Sequence, residues 1–156
     1  MRLIATIEGN DITEHDDGSV TFFACGRIDD DGAGPAHGDK FHQGATSLHH
    51  EGQPLNADVD QYIVVPPQII HGVKGIVLGC QAEVTYNGRT VPAVVGDIGP
   101  HHRLGEISIA LARALGINPD PNTGGVDSHT VHYRLLPGIP AVVGSVTYTM
   151  QPSHAA

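Results

Sequence analysis

The sequence predicts a single, mainly β domain, 1–156, with one short helix. Twenty Gly and eleven Pro in 156 residues favour frequent turns and therefore short strands. Seven runs rich in Val, Ile, Thr and Tyr are typical of β-strands, whereas one segment alone has clear helical periodicity. Hydrophobic residues make up 40% of the chain, and this length suffices to bury one core.

The predicted strands include one hairpin with a clear turn signal. Asn87-Gly88 separates two of the runs, and both residues tolerate the positive φ that a two-residue hairpin turn requires. We therefore expect residues 84–86 to pair with residues 89–91. The seven predicted strands cover residues 3–7, 20–24, 61–65, 75–86, 90–95, 130–135 and 141–149.

The one predicted helix follows in the second half of the chain. Ile107, Leu111 and Leu115 recur at helical spacing, and Gly116 is typical of a residue that ends a helix. We expect this helix to begin at Glu106. Residues 29–55 are expected to form a long loop, which either has a function or contains strands that the sequence does not reveal.

The charge of the chain narrows the classes of partner. Seventeen acidic and eight basic residues give a formal net charge of -9, and the Lys and Arg residues do not cluster, which argues against nucleic-acid binding. An acidic surface favours a polycationic or neutral partner. No apolar stretch approaches the roughly 18 residues of a membrane span, so no membrane partner is expected.

Two carboxylates are candidates for chemistry. Asp97 follows an apolar run between two glycines, and Glu106 lies a short loop further on, so that both side chains could face one cleft. Glycoside hydrolysis requires such a pair, one group to protonate the leaving oxygen and one to activate water. Alternatively, Asp97 caps a turn and Glu106 complements a helix N-terminus. Spacing alone favours this structural alternative.

Longer motifs around these two carboxylates favour the catalytic interpretation over the structural one. Val-Val-Gly-Asp-Ile-Gly-Pro at 94–100 and Leu-Gly-Glu-Ile-Ser-Ile-Ala at 104–110 resemble the signature of the glycoside hydrolase family 75 chitosanases. Weaker matches extend the resemblance over residues 20–147. It implies an endo-acting enzyme that cleaves the β-1,4 linkages of chitosan with inversion, without metal or cofactor. The two essential carboxylates of the family correspond to Asp97 and Glu106.

A second resemblance concerns the architecture. Residues 87–91, 97–100 and 108–116 are similar to the conserved half of double-psi β-barrels, as found in septal-type lytic transglycosylases and expansin-like proteins. It implies a six-stranded double-psi β-barrel-like domain with one short helix after the catalytic turn, and Asp97 at the barrel mouth. It also leaves two alternatives open: a peptidoglycan-cleaving muramidase or lytic transglycosylase, and a non-catalytic carbohydrate-binding or phage structural module.

The roles of the two carboxylates are predicted from their expected surroundings. A helix N-terminus stabilises the charged form of a carboxylate, which favours Glu106 as the general base. Burial of Asp97 beside apolar neighbours would raise its pKa and suit it to the role of general acid.

Five further residues are expected to contact the substrate. Asp29 and Asp31 would attract the protonated amines of chitosan, or else shape a turn. His101 and His102 lie between the two carboxylates in sequence, and Thr46 belongs to a segment that resembles the chitosanase family.

The sequence predicts no metal site. Asp29-Asp30-Asp31-Gly32 is similar to the start of a calcium loop, but Gly38 stands where an EF-hand requires a bidentate Glu. An irregular cation site that uses Asp29, Asp31 and Asp39 remains an alternative. No pair of histidines has the i, i+4 helical spacing of a zinc hydrolase.

The expected partner is therefore a polysaccharide, bound by a monomer. The chitosanase resemblance implies secretion, although the first eight residues become acidic too early for a signal peptide. Cys25 and Cys80 could form a disulfide or remain two buried thiols.

Overall fold

A computed structural model describes residues 1–151 and shows a barrel of short strands with two short helices. The helices are α1 (Pro67–Gly72) and α2 (Ile109–Leu115). The strands are β1 (Arg2–Ile7), β2 (Asn10–Glu14), β3 (Val20–Asp29), β4 (His49–His50), β5 (Gln53–Pro54), β6 (Tyr62–Val65), β7 (Cys80–Tyr86), β8 (Arg89–Ile98), β9 (Glu106–Ser108), β10 (Val126–Pro140), β11 (Val142–Val143) and β12 (Val146–Thr147).

Six of these strands close into a barrel in the order β3-β10-β7-β8-β6-β9, and β9 pairs with β3 to complete the ring. The β6–β8 and β3–β9 pairs are parallel, and the other neighbours in the ring are antiparallel. The β1–β2 hairpin extends the sheet from β3. The predicted mainly β, single-domain barrel with a short helix after the β8 turn is confirmed, whereas the expectation of one helix is wrong, since α1 was not predicted.

The barrel encloses one hydrophobic core. Strand β7 shows why its sequence forms a strand, because Cys80, Ala82 and Val84 are buried while the residues between them are partly exposed. Tyr62 and Tyr133 are among the largest fully buried side chains. Burial of these alternating apolar side chains is what holds the short strands together.

The predicted hairpin is confirmed. Tyr86 pairs with Arg89 and Val84 pairs with Val91, as expected. Asn87 and Gly88 adopt φ values of 50° and 80°, which are the left-handed conformations that the two central positions of this turn require.

The predicted start of the helix is wrong. Glu106 belongs to β9, and α2 begins at Ile109, after Ser108, whose side-chain oxygen accepts a hydrogen bond of 3.2 Å from the backbone N–H of Leu111. The helix ends at Gly116 in the left-handed conformation, as expected. Glu106 does not continue the helix because its backbone is paired with two strands at once.

Other elements differ from the prediction in ways that their sequences explain. Strand β2 was not predicted, because Ile12 is its one buried residue and the apolar alternation is therefore missing. The region 75–79 lies outside β7, and 141–149 forms a β11–β12 hairpin instead of one strand. The long 29–55 segment does contain two strands, β4 and β5, each of two residues.

Cys25 and Cys80 are both buried and free, so the disulfide alternative is wrong for the described chain. Burial raises the pKa of the Cys25 thiol, which makes it a poor nucleophile. Neither helix within residues 1–151 is long and apolar enough to cross a membrane.

A bulge in β8 sets the position of Asp97. Ile63 pairs with Val95 but the next residue, Val64, pairs with Asp97, so Gly96 is an extra residue on β8. Such a bulge changes which face of the strand the following side chain occupies. A Cβ at Gly96 would lie 2.6 Å from Leu55 Cδ1 and 2.7 Å from Tyr62 Cβ, closer than packed carbon atoms can approach.

Replacing Gly96 by Ala is therefore expected to lower the free energy of unfolding by about 1–3 kcal/mol, the usual cost of overpacking a core. Urea denaturation measures it. Gly44→Ala is the matched control, since a Cβ there would have no neighbour within 4 Å. Equal denaturation midpoints for the two variants would contradict the prediction, because Leu55 and Tyr62 would then move aside without a loss of free energy of unfolding.

Candidate active site

An open cavity of about 790 Å³ lies where β3 and β8 end and β9 begins. Acidic residues dominate its lining, with two arginines opposite them. The acidic residues are Asp29, Asp31, Asp39, Asp97, Glu106 and Asp127, and the arginines are Arg27 and Arg103. The cavity is therefore suited to a ligand that carries positive charge.

The barrel brings Asp97 and Glu106 to either side of one residue. Val64 in β6 pairs with Asp97 in β8 and with Glu106 in β9, and all three line the cavity. Neighbouring strands lie about 4.8 Å apart, so the two acidic residues stand roughly 10 Å apart at the backbone. Carboxylates on such a frame can have the roughly 6.5–9.5 Å separation of an inverting glycosidase.

Gly99 lets the end of β8 approach Glu106. A Cβ at Gly99 would lie 2.9 Å from Glu106 Oε2 and 2.9 Å from Val64 Cγ1. Any larger residue would displace the carboxylate or the valine. The second glycine of the Gly-Asp-Ile-Gly-Pro turn is thus required by the position of Glu106.

Asp97 is held by three hydrogen bonds on one oxygen. Its Oδ1 accepts from the backbone N–H of Ser47 at 2.9 Å, from the Ser47 hydroxyl at 2.7 Å and from the backbone N–H of Ile98 at 2.9 Å. All three groups donate, so Oδ1 acts as an acceptor and Oδ2 remains available to a ligand. This arrangement suits a carboxylate that must stay in a fixed orientation.

Glu106 has a different environment. Burial raises its pKa, Arg103 and Arg27 oppose this effect, and the carboxylates of Asp31 and Asp97 add to it. The Arg103 guanidinium lies 3.9 Å from Glu106 Oε1. Glu106 therefore keeps its proton to a higher pH than an ordinary Glu. The expected stabilisation of its carboxylate by a helix N-terminus is wrong, because Glu106 lies in a strand.

Asp29 and Asp31 lie beside Asp97, with carboxylate oxygens of the three residues within 4.8 Å of one another. Burial, and then the charge of Asp31, raise the pKa of Asp29 to about 8. The Tyr62 hydroxyl donates a hydrogen bond of 3.2 Å to Asp29 Oδ2. Asp29 is thus protonated near neutral pH until a cationic group approaches, whereas Asp31 Oδ1 accepts from the backbone N–H of Gln43 at 2.7 Å.

The other predicted contacts are placed differently. Thr46 lies at the cavity wall, but its hydroxyl donates to the carbonyl of Leu48 and accepts from the N–H of Leu55, so it holds the loop in place. His101 and His102 are exposed, pack edge to face at 5.4 Å, and are absent from the described cavity lining. Their contact with substrate stays a prediction.

Several residues at the site were not predicted. Ser47 holds Asp97 from 50 residues away in sequence, and no local pattern relates the two. Arg103 lies three residues before Glu106, and this short separation in the sequence could have indicated their ion pair. Phe41 is 76% exposed and lines the cavity, where it provides an apolar surface beside the carboxylates.

The fold and this site define a β-barrel protein with an acidic cleft. No family model matches the chain, and no curated protein matches it. Among solved structures it is similar to the Streptomyces papain inhibitor (SPI), with a TM-score of 0.40 and 22% identity over 58% of this chain and 84% of that chain. Nothing about the function of the chain follows from this partial similarity.

Proposed function

We propose that the chain is an endo-acting glycoside hydrolase that cleaves β-1,4 linkages of chitosan by an inverting mechanism with two carboxylates. One observation carries the proposal: Asp97 and Glu106 flank Val64 on one cavity wall and have contrasting environments. A pair of carboxyl groups whose surroundings differ in this way is what acid–base catalysis at a glycosidic bond requires.

We assign the roles in the opposite sense to the sequence prediction. Glu106, whose pKa is raised by burial, is the general acid and donates its proton to the glycosidic oxygen as the bond to the anomeric carbon breaks. Asp97, held by Ser47 and Ile98, is the general base. It accepts a proton from the water whose oxygen bonds to the opposite face of that carbon.

Two features support chitosan as the polymer. The acidic residues of the cavity complement the protonated amines of glucosamine units, which favour the charged form of Asp29, while Glu106 supplies its proton to the reaction. The exposed ring of Phe41 offers an apolar surface on which the face of a sugar can stack. The motifs at 94–100 and 104–110, which resemble those of family 75 chitosanases, add to the support that these two features give to chitosan.

Product analysis tests the proposal. Chitosan oligomers and peptidoglycan are incubated with the protein, and NMR follows the anomer at each new reducing end. We expect α-anomers from chitosan first. Anhydro products from peptidoglycan would instead identify a lytic transglycosylase, and new muramic acid reducing ends a muramidase. Cleavage of neither polymer would overturn the proposal in favour of a non-catalytic module.

The proposal predicts how Arg103 affects the pH profile. Hydrolysis requires protonated Glu106, so the rate falls as the pH rises through the raised pKa of this residue. The Arg103 charge lowers that pKa. Arg103→Gln is therefore expected to move the alkaline limb of kcat against pH to higher pH.

Lys74→Gln is the charge-matched control for this prediction, because Lys74 is exposed and lies outside the cavity lining of the described chain. It should leave the alkaline limb where it is in the wild type. An unchanged profile for Arg103→Gln, or a limb moved to lower pH, would contradict the role of Glu106 as acid.

A further inference from the structure

Asp30 has an environment that the hydrolase mechanism does not explain. It is 0% exposed, yet neither of its carboxylate oxygens has a hydrogen-bond partner within residues 1–151. A carboxylate without compensation in the interior costs several kcal/mol. Buried charges in proteins are normally paired or bind a metal ion.

The groups around Asp30 are metal-ligating atoms. His42 Nδ1 lies 3.3 Å from Asp30 Oδ1 and is itself buried without a hydrogen bond in the described part of the chain. One oxygen of Asp31 completes a set whose three ligand atoms lie within 4.8 Å of one another. In a tetrahedral site with bonds of about 2.0–2.1 Å, ligand atoms stand roughly 3.3–3.5 Å apart, which is the spacing of the first pair.

We propose that Asp30, Asp31 and His42 bind a divalent transition-metal ion, with Zn²⁺ as the representative of the class. Two carboxylate oxygens and an imidazole nitrogen suit Zn²⁺, whereas Ca²⁺ and Mg²⁺ prefer a set of oxygens alone. The set shares Asp31 with the irregular cation site considered from the sequence, but replaces Asp29 by Asp30 and adds His42.

The ion would join two parts of the cavity wall. Asp30 directly follows β3, and His42 belongs to the loop that continues to Ser47, the residue that holds Asp97. An ion bound to the folded state alone stabilises that state in proportion to the logarithm of its concentration. None of the three ligands is Asp97 or Glu106, although Asp31 lies beside Asp97, so Zn²⁺ binding does not require the proposed hydrolase activity.

Calorimetry and thermal unfolding test the site. The full chain, without a histidine tag and freed of metal by a chelator, is titrated with Zn²⁺, Ca²⁺ and Mg²⁺. We expect one equivalent of Zn²⁺ to bind and to raise Tm, with Ca²⁺ and Mg²⁺ much weaker. His42→Gln should weaken Zn²⁺ binding by roughly 10²-fold or more, because even changes outside the ligands cost about 10–100-fold.

His37→Gln is the matched control. His37 belongs to the same loop and pairs with Asp58 at 2.8 Å, away from the three ligands, so its loss should leave Zn²⁺ affinity unchanged. Circular dichroism of the metal-free variants checks that they fold. If His42→Gln does not fold, Asp30→Asn, which removes the buried charge, provides the second test. This second variant should also lose Zn²⁺ binding.

The proposal is overturned if millimolar Zn²⁺ neither binds nor raises Tm. In that case the Asp30 carboxyl group is accommodated without a metal ion. It is equally overturned if His42→Gln or Asp30→Asn binds Zn²⁺ as tightly as the wild type. Because these measurements contain no polysaccharide, their failure would leave the proposed hydrolase function untouched.

Discussion

Glu106→Gln is expected to reduce kcat on chitosan oligomers by roughly 10²–10⁴-fold, the usual contribution of a general acid. The amide keeps the size of the side chain but has no acidic proton for the glycosidic oxygen. KM should change little, since the cavity and its other carboxylates remain. Initial rates from reducing-end release, together with circular dichroism of the variant, measure the effect.

The control for this variant is Glu83→Gln, which removes a carboxylate of β7 that pairs with Arg134 outside the cavity. It should retain the wild-type rate. A substrate with an activated aryl leaving group needs no acid, so it should restore much of the Glu106→Gln rate. If the activated substrate instead restores the rate of an Asp97 variant, Asp97 is the acid.

Features that depend on local backbone conformation were predictable from the sequence. The Asn87-Gly88 turn and the end of α2 at Gly116 both require positive φ values, which a few residue types adopt readily. The barrel strands with β-branched, alternating sequences were also predicted, because burial on one face imposes a period of two. The sequence also indicated that Asp97 and Glu106 face one cleft, because only a short loop separates them, although the structure places Asp97 within β8.

Features that depend on pairing between distant segments were not predictable. A helical pattern follows Glu106 in the sequence. However, Glu106 is a strand residue, because it pairs with Arg27 and Val64 from other parts of the chain. This single difference is the reason why we propose the opposite acid and base roles, because burial and a helix N-terminus shift a carboxylate pKa in opposite directions.

The surroundings of the other acidic residues were equally hidden. Asp29, Asp30 and Asp31 are adjacent and identical in type, yet the structure gives each a different environment. Asp29 is protonated near neutral pH, Asp30 is fully buried without a hydrogen bond in the described chain, and Asp31 lines the cavity. Burial depends on which segments cover a residue, and that information is spread over the whole barrel.

Asp97→Asn is expected to lose activity by a similar factor, roughly 10²–10⁴-fold, because the amide cannot accept the proton of the attacking water. Its hydrogen bonds are expected to remain, since the amide oxygen can accept from Ser47 and Ile98 as Oδ1 does. Azide needs no base, so added azide should restore turnover and yield an α-glycosyl azide, detectable by mass spectrometry and NMR.

The same experiment distinguishes the two assignments of roles. Asp127→Asn is the matched control, because Asp127 also lines the cavity but is exposed; it should keep the wild-type kcat without azide, and only KM should rise if Asp127 binds a substrate amine. Rescue of Glu106→Gln by azide, with none for Asp97→Asn, would make Glu106 the base, as its helical sequence pattern first indicated. If azide rescues Asp97→Asn alone, Asp97 is the group that activates the water. The water is then activated from β8, on the opposite side of Val64 from Glu106 in β9.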